Sequence, residues 1–506
     1  MKVSRRDFLK SSAGCALGMA SLATQMHHFG TISAFAQAAI DKGDAATSYK
    51  ALVLLYFAGG NDANNMIVPL HNDSTVSNYA AYTAARSTQG LALPATGTGA
   101  LLPITVPRMN GLTYGLHPNF GPVTNGINNG IYELWGQGKL AFVANVGNLM
   151  RPLTKAQYQS SPTLRPYQLF SHSDQIAQSQ AGISGSQIHT GWGGRISDKM
   201  TTAGPIVPMI TSISGAQLFT SGQVTASLAI ADSGTSLANV LHPSGFGTPP
   251  TGTNLARFNA FNSLRQQDLL TSHHLAAASH ITDMAIAADT VFQSSLDTTV
   301  TFPNTSIGRQ LRQVARLIKN RSSLGVARQI FYVQVGNFDT HTNQLSTQGT
   351  NFSQLSQALR AFWDELAAQT TTGGDDMQQA VTTFTLSDFS RTFNPAGSGS
   401  SVGSDHGWGS HALVLGGSVN GGNFYGSLRP DGTGDYFPTL TLGGPDDVDS
   451  GTSPRGRWLP TTSVEQYAAA LARWFGLPQD AATLSAVFPN LQFFPGTYSQ
   501  LDFMQP

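Results

Sequence analysis

The sequence predicts an α/β protein whose central sheet is mostly parallel and is covered by helices on both faces. Two observations carry this prediction. Short continuous apolar runs recur along the chain, and segments with helical spacing of apolar residues lie between them. Continuous apolar runs are typical of strands that are buried on both faces. Strands that alternate with helices form a mostly parallel sheet between two helical layers.

Five apolar runs are expected to form the strands of this sheet. In chain order they are residues 51–57, 140–146, 330–335, 381–386 and 412–415. Four of the five are followed by a glycine within two residues, which is a common way to end a strand. We therefore expect each run to lie inside one sheet and each following loop to lie at its edge.

Helical spacing of apolar residues predicts helices over residues 307–318, 352–366 and 464–475, and a further helix near 255–290. The stretch 200–300 differs from the rest because it is rich in Gly, Ser and Thr and its apolar runs are shorter. We interpret this stretch as an insertion or cap on a single α/β domain that spans residues 50–480.

The first ten residues, MKVSRRDFLK, resemble a twin-arginine export signal. A weakly apolar run follows, and Ala34-Phe35-Ala36 offers a small-x-small cleavage site before Gln37. Residues 1–36 are therefore expected to be a signal peptide that the twin-arginine translocase recognises. The mature protein is then periplasmic or secreted, and bacterial. The alternative is a cytosolic protein with a chance pair of arginines.

Composition excludes several classes of function. The chain has 28 basic and 28 acidic residues, and without residues 1–36 it has 24 basic and 27 acidic ones. No basic patch is left to suggest nucleic-acid binding. The only cysteine is Cys15, within the signal, so the mature chain has no thiolate metal site. No stretch of the mature chain approaches the ~18 apolar residues of a membrane span.

Residues that can hold a metal ion follow or precede the predicted strands. In open α/β sheets, ligands bind beyond the carboxyl ends of the strands, so we expect these side chains to share one edge. The candidate ligands are Asp62 after the first strand, Asp339 and His341 after the third, Asp388 after the fourth, and Asp405, His406 and His411 before the fifth. Mixed imidazole and carboxylate ligands suit Zn²⁺ or Mn²⁺, whereas oxygen ligands alone would suit Ca²⁺ or Mg²⁺. One or two divalent ions are expected, and a two-metal site would suit phosphoryl or sulfuryl transfer.

Most of these residues also have a purely structural interpretation. Asp62, which follows two glycines, would form an Asx-turn, and Asp388 would cap a helix. Asp339 would form a turn beside a surface histidine, His341. Arg391 is expected to contact anionic substrate oxygens, because a guanidinium forks onto such groups. Its structural alternative is a surface salt bridge.

Six segments occur in an order that resembles a known family. They are residues 52–69, Leu116-His117-Pro118, Gly191-Trp192-Gly193-Gly194-Arg195, Phe338-Asp339-Thr340-His341, Ser387-Asp388-Phe389-Ser390-Arg391-Thr392 and Asp405-His406-Gly407-Trp408. As a set they resemble the exported bacterial family called domain of unknown function 1501. That family is similar to the alkaline phosphatase and sulfatase superfamily. The resemblance implies a mixed, mostly parallel sheet, an Asp after the first strand and later Asp/His metal ligands.

The chain departs from the superfamily pattern at the nucleophile. Sulfatases carry it in Cys/Ser-x-Pro-x-Arg, and no such pentapeptide lies near the expected place. The candidate segment is Phe170-Ser171-His172-Ser173-Asp174-Gln175, in which Ser171 or Ser173 would be a metal-activated nucleophile. The alternative is a loop without a nucleophile. The metal motifs also differ, since Asp339 and His341 lie two residues apart and not four.

These observations lead to two hypotheses of function. The first is an exported metal-dependent hydrolase of phosphate or sulfate esters, with a polymer or an envelope component as a candidate substrate. The second is a non-catalytic envelope or secretion-associated binding protein on a degenerate hydrolase fold, because a fold does not fix a function. Convergence of the Asp and His side chains in one pocket would favour the first.

Overall fold

The computed structural model of the chain describes residues 48–73, 78–122, 129–185, 189–201, 205–225, 227–242, 245–246, 250–266, 273–370, 374–397, 401–494 and 501–505. The predicted signal peptide, residues 1–36, lies outside the described residues.

Twelve strands are found in the described part of the chain, nine in a main sheet and three in a small one. They are β1 (Lys50–Phe57), β2 (Ile67–Pro69), β3 (Leu102–Val106), β4 (Leu112–Leu116), β5 (Leu140–Gly147), β6 (Ile210–Ser212), β7 (Leu228–Ala229), β8 (Arg328–Val335), β9 (Val381–Ser387), β10 (Ser410–Gly416), β11 (Phe424–Tyr425) and β12 (Thr462–Ser463). The small sheet has the order β2-β4-β3.

The α-helices of the described residues lie mostly between these strands. They are α1 (Ala63–Met66), α2 (Tyr79–Arg86), α3 (Tyr132–Gly136), α4 (Lys155–Ser160), α5 (His172–Ala181), α6 (Trp192–Met200), α7 (Leu237–Val240), α8 (Gly252–Gln266), α9 (His273–Phe292), α10 (Ser306–Lys319), α11 (Arg321–Leu324), α12 (Gln344–Gln369), α13 (Met377–Ala380), α14 (Val464–Phe475) and α15 (Ala481–Val487). None of them is long and apolar enough to cross a membrane.

The main sheet has the order β11-β5-β10-β9-β1-β8-β6-β7, with β12 also paired to β5. The pairs of β1 with β8 and β9, and of β6 with β7 and β8, are parallel. The five apolar runs form β1, β5, β8, β9 and β10. The predicted α/β class with a mixed, mostly parallel sheet is thus confirmed.

One strand runs in a direction that the parallel-sheet argument did not anticipate. β10 is antiparallel to both of its neighbours, β5 and β9. A strand that runs the opposite way begins at the edge where its parallel neighbours end. Residues that precede β10 therefore lie beside those that follow β1, β8 and β9, although the reason is strand reversal and not a purely parallel sheet.

Side chains of β1 alternate between two apolar layers. Val53 and Leu55 pack in one cluster with residues of α10 and α12, and Leu52 and Leu54 pack in another with residues of α6 and α14. Complete burial of such a side chain contributes about 1.5–3 kcal/mol. Because both faces of β1 are buried in this way, helices cover both sides of the sheet. The ends of its strands are left free for loops.

Local signals begin and end the covering helices. The side chain of Thr305 accepts a hydrogen bond from the Gly308 N–H at the start of α10. Ser463 and Gln466 form a capping box at the start of α14, which ends at Gly476 with φ of 108°. In the stretch 200–300, β6 and β7 extend the main sheet beyond β8, and α7, α8 and α9 follow them.

Candidate metal centre

The loops after β1, β8 and β9 meet the loop before β10 at one edge of the main sheet. The Arg391 and His406 backbones form an antiparallel bridge. Gly59, which follows β1, has φ of 111°, and a Cβ there would overlap the backbone nitrogen of Asp339. Glycine is therefore needed at position 59 for the loop after β1 and the loop after β8 to approach each other.

Three side chains at this edge present one ligand atom each to a common point. His172, Asp339 and His406 hold these atoms within 4.8 Å of one another. The Nε2 atoms of His172 and His406 are 3.0 Å apart. The Oδ1 atom of Asp339 lies 3.4 Å from the former and 3.6 Å from the latter. Two imidazoles and a carboxylate from three distant segments thus face one small volume.

His341 lies beside this trio and contacts two of its members. Its Nε2 atom is 3.2 Å from the Nε2 of His406 and 3.0 Å from the Oδ1 of Asp339. Nitrogen ligands 2.0–2.1 Å from a tetrahedral ion would be about 3.3 Å from each other. The five separations of this cluster, 3.0–3.6 Å, are close to that value. His172, Asp339 and His406 therefore fit part of the donor set of a divalent cation, with His341 beside two of them.

The second nitrogen of each ring faces an oxygen acceptor. His172 Nδ1 is 2.7 Å from Oδ2 of Asp388, and His406 Nδ1 is 2.7 Å from the backbone carbonyl of Phe170. His341 Nδ1 is 3.5 Å from Oδ1 of Asp405. A carbonyl only accepts, so His406 donates from Nδ1 and turns the lone pair of its Nε2 towards the cluster. Histidines that bind metals are typically held in this way.

Aromatic packing fixes two of the rings. The Phe389 ring packs against the imidazoles of both His172 and His406, at centroid distances of 4.8 and 4.7 Å. Phe389 is buried and lies two residues after the end of β9. The Arg457 guanidinium lies 4.9 Å from the Phe170 ring centroid and donates to the carbonyl of His406. The positions of these rings are therefore set by the fold before any ligand binds.

The pKa values of His172 and His406 are shifted in opposite directions. The hydrogen bond to Asp388 raises the pKa of His172 above its usual value, against the opposing effect of partial burial. Burial lowers the pKa of His406, and the charges of His172 and Arg391 lower it further. Partial burial would raise the pKa of Asp339, but its hydrogen bond to Arg391 and the nearby charges hold it below the usual value. The cluster thus contains an ionised carboxylate and a neutral imidazole at neutral pH.

Arg391 is fully buried and forms a hydrogen bond to Asp339 from the interior side of the centre. Its Nη1 group donates to Oδ1 of Asp339 at 2.8 Å, and its Nη2 group donates to the carbonyl of Ser404. The guanidinium is thereby occupied by protein groups, and its expected contact with anionic substrate oxygens stays a prediction. Asp405 is held instead by Arg455, whose Nη2 is 2.8 Å from its Oδ2.

Two of the candidate ligands lie apart from the trio and have other partners. Asp62 is buried and pairs with Arg86, whose Nη2 is 2.8 Å from its Oδ2. His411 is buried, accepts a hydrogen bond from the Asn145 N–H at 3.2 Å, and stacks on Phe437. Burial lowers the pKa of His411 to about 3, so it is neutral. Asp388 joins the centre only through His172.

Ser171 and Ser173 flank His172 at the start of α5. Their hydroxyl groups are 3.2 Å apart. Ser171 donates to Oδ2 of Asp174 at 2.6 Å, and Ser173 donates to the same oxygen at 3.3 Å. The predicted nucleophile segment therefore lies next to the cluster in the chain, and Ser171 has the shorter bond to a potential base.

Sequence reasoning missed His172 as a candidate ligand. The hydroxyl groups of the surrounding segment suggest a nucleophile, and no strand end adjoins His172. Its position between Ser171 and Ser173 is the one signal that the sequence offers.

Comparison with known proteins bears on the chain as a whole. No functionally curated protein matches it. The model of one family, described as a protein of unknown function (DUF1501), matches residues 49–436. This range contains the trio, His341, Asp388, Asp405 and the flanking serines. The chain therefore belongs to the DUF1501 family.

Proposed function

We propose that the protein is an exported metal-dependent hydrolase of phosphate or sulfate esters. A single observation carries the proposal: the Nε2 atoms of His172, His341 and His406 converge on Oδ1 of Asp339 while the opposite ring nitrogens face oxygen acceptors. Without a cation, the Nε2 atoms of His172 and His406 would lie 3.0 Å apart beside the Asp339 carboxylate with no ligand to bind in common. A divalent cation would be that common ligand.

The donor set favours Zn²⁺ or Mn²⁺ over Ca²⁺ or Mg²⁺, because imidazoles outnumber the oxygen ligands. When bound, such an ion would polarise the ester as a Lewis acid and activate a nucleophile at neutral pH. The protein's own part is to hold the three rings and Asp339 in place. His172, Asp339 and His406 form one ligand group, with His341 beside it, so we propose a single ion here.

The open side of the centre suits an anionic substrate. The side chains of His341 and Asp339 are each 47% exposed, whereas Asp388 and Arg391 are buried behind them. Arg455 borders this side through its ion pair with Asp405 and keeps part of its surface exposed. We assign the binding of ester oxyanions to Arg455, since a guanidinium can pair with two such oxygens at once. The order of sequence motifs, which is similar to that of phosphatases and sulfatases, supports the same substrate class.

The test compares metal content and hydrolysis for matched histidine variants. His172→Ala and His406→Ala should lose bound metal and at least a hundredfold of turnover on a panel of phosphate and sulfate esters. His242→Ala is the control, because His242 forms a similar pair with Asp289, 3.1 Å apart, outside the cluster. Metal that stays bound in both cluster variants would end the proposal.

The second candidate function is a non-catalytic envelope or secretion-associated binding protein. The buried guanidinium of Arg391 favours it, because the arginine expected to contact the substrate is instead tied to Asp339 and Ser404. The same panel separates the two functions. Metal that binds to the wild-type protein without hydrolysis of any ester, including a neutral carboxyl ester, would support the binding protein.

A further inference from the structure

We propose that Gln344 is a positioning residue of the metal centre, through which the buried carboxylate of Asp62 sets the orientation of Asp339. The inference rests on the proposed metal-dependent function and adds a role for a polar network behind the ligands. It assigns to Asp62 a task other than metal binding. It also explains why a glutamine is buried at the first residue of α12.

Four hydrogen bonds link the two carboxylates. The Nε2 group of Gln344 donates to Oδ2 of Asp62, and the Oε1 atom of Gln344 accepts from the hydroxyl of Ser404. The carbonyl of Ser404 then accepts from Nη2 of Arg391, and Nη1 of Arg391 donates to Oδ1 of Asp339. Gln344 is the one residue in this series of hydrogen bonds with a side-chain amide, and both polar atoms of that amide take part.

All members of the network behind Asp339 are shielded from water. Asp62, Gln344, Ser404 and Arg391 are each at most 1% exposed. Hydrogen bonds in such surroundings are not weakened by competing water, and a broken one leaves a costly unpaired group. Asp62 is itself fixed by its ion pair with Arg86. Asp62 therefore anchors one end of the network in a fixed position.

Asp339 needs such support because packing alone does not hold it. Its side chain is about half exposed, so neighbouring atoms restrict few of its rotamers. The bond from Arg391 fixes Oδ1, and the guanidinium is itself oriented by the Ser404 carbonyl and by a longer bond of 3.4 Å from Nη1 to the Gly59 carbonyl. The Ser404 side chain in turn is held by Gln344. Loss of Gln344 would break this series of hydrogen bonds in the middle. The Asp339 carboxylate could then turn away from the three histidines.

Gln348 provides a matched control on the same helix. It lies one turn after Gln344, is equally buried, and donates to the Asp62 carbonyl at 2.6 Å and to Oδ1 of Asn61 at 3.3 Å. It makes no hydrogen bond to Ser404 or Arg391 among the described contacts. Replacing either glutamine removes hydrogen bonds to the same loop, but only one replacement interrupts the path to Asp339.

The experiment titrates Co²⁺ into metal-free wild-type protein and the Gln344→Leu and Gln348→Leu variants of the full mature chain. The visible absorption of bound Co²⁺ reports the ligand geometry. Outer residues of metal sites typically contribute 10–100-fold in affinity. We therefore expect Gln344→Leu to bind Co²⁺ 10–100-fold more weakly with an altered spectrum. Gln348→Leu should stay within about threefold of wild type, although both variants lose stability in urea.

A second variant keeps the test decisive if Gln344→Leu fails to fold. Ser404→Ala removes only the hydroxyl that Gln344 accepts from, and it should shift the Co²⁺ spectrum in the same direction. Equal affinities and spectra for the two glutamine variants would overturn this inference alone. Wild-type protein that binds no Co²⁺ would overturn the proposed function and the inference with it, and the two failures are therefore distinguishable.

Discussion

At the scale of single residues, His172 shows where sequence reasoning stops. Its role depends on Asp388 and His406, which lie 216 and 234 positions further along the chain. The residues Asp339, His341 and His406 were predicted to gather because they adjoin strands. His172 adjoins no strand and begins a helix, so no rule about sheet edges selects it. Asp62 adjoins a strand, but an arginine on α2 binds its carboxylate from the side.

Ser171 and Ser173 can be tested against each other as nucleophiles. We expect Ser171→Ala to retain its metal but to lose at least a hundredfold of turnover, because the Ser171 hydroxyl donates to Asp174 at 2.6 Å. Ser173→Ala is the control, since its bond to the same carboxylate is longer, 3.3 Å. Metal analysis and single-turnover rates would measure both effects. Full activity in both variants would show that the nucleophile is water or lies elsewhere.

Glu465 gives the fold a defined dependence on pH. It is buried in the first turn of α14, and burial raises its pKa to about 8, with the charge of Arg195 acting in the opposite direction. The folded state therefore holds a proton that the unfolded state releases above about pH 4.5. Stability contributed by this group is complete below that pH and falls as the pH rises towards 8.

The variant Glu465→Gln keeps the shape of the side chain and cannot ionise. It should gain stability over wild type as the pH rises from 5 to 8, on the order of a few kcal/mol at the upper end. Urea unfolding at a series of pH values measures the difference. A constant difference across that range would show that Glu465 ionises in the folded protein as it does in the unfolded one.

At the scale of elements, apolar runs located the five strands β1, β5, β8, β9 and β10 but gave no strand directions. A continuous apolar run gives the same pattern for either strand direction. The direction of the strand in the sheet is determined by contacts that its loops make elsewhere. The reversal of β10 mattered most, because it brings His406 to the edge where β8 and β9 end. Helices α10, α12 and α14 were predicted from spacing alone, since each has one apolar face to bury.

The turn after β1 can be tested by a pair of glycine substitutions. Gly59→Ala would introduce a side chain at φ of 111°, where its Cβ would overlap the Asp339 backbone. Gly215→Ala is the control, because Gly215 has φ of 70° and open space around it. We expect a loss of about 1 kcal/mol for Gly215→Ala and about 3 kcal/mol or more, with reduced metal content, for Gly59→Ala. Similar losses for both would mean that the close approach of the two loops is dispensable.

At the scale of the whole molecule, the export prediction depends on residues outside the described part of the chain. Replacing both Arg5 and Arg6 by Lys should leave the protein uncleaved in the cytoplasm, because the paired arginines are the part of the signal that the translocase reads. Lys2→Arg is the control and should be exported normally. Fractionation and the mass of the N-terminal peptide would measure both. Normal processing of the double variant would contradict the prediction.

The central position of β1 has a consequence for the order of events on the ribosome. Its partners are β8 and β9, and Phe57 pairs with Ser387, a separation of 330 residues. Synthesis at about 5–20 residues per second places roughly 15–65 seconds between these residues. For most of that interval, until β8 is made, β1 has neither of its two neighbours to pair with. An unpaired apolar strand is prone to aggregate, so a pause in translation before β8 would lengthen the time in which β1 needs protection.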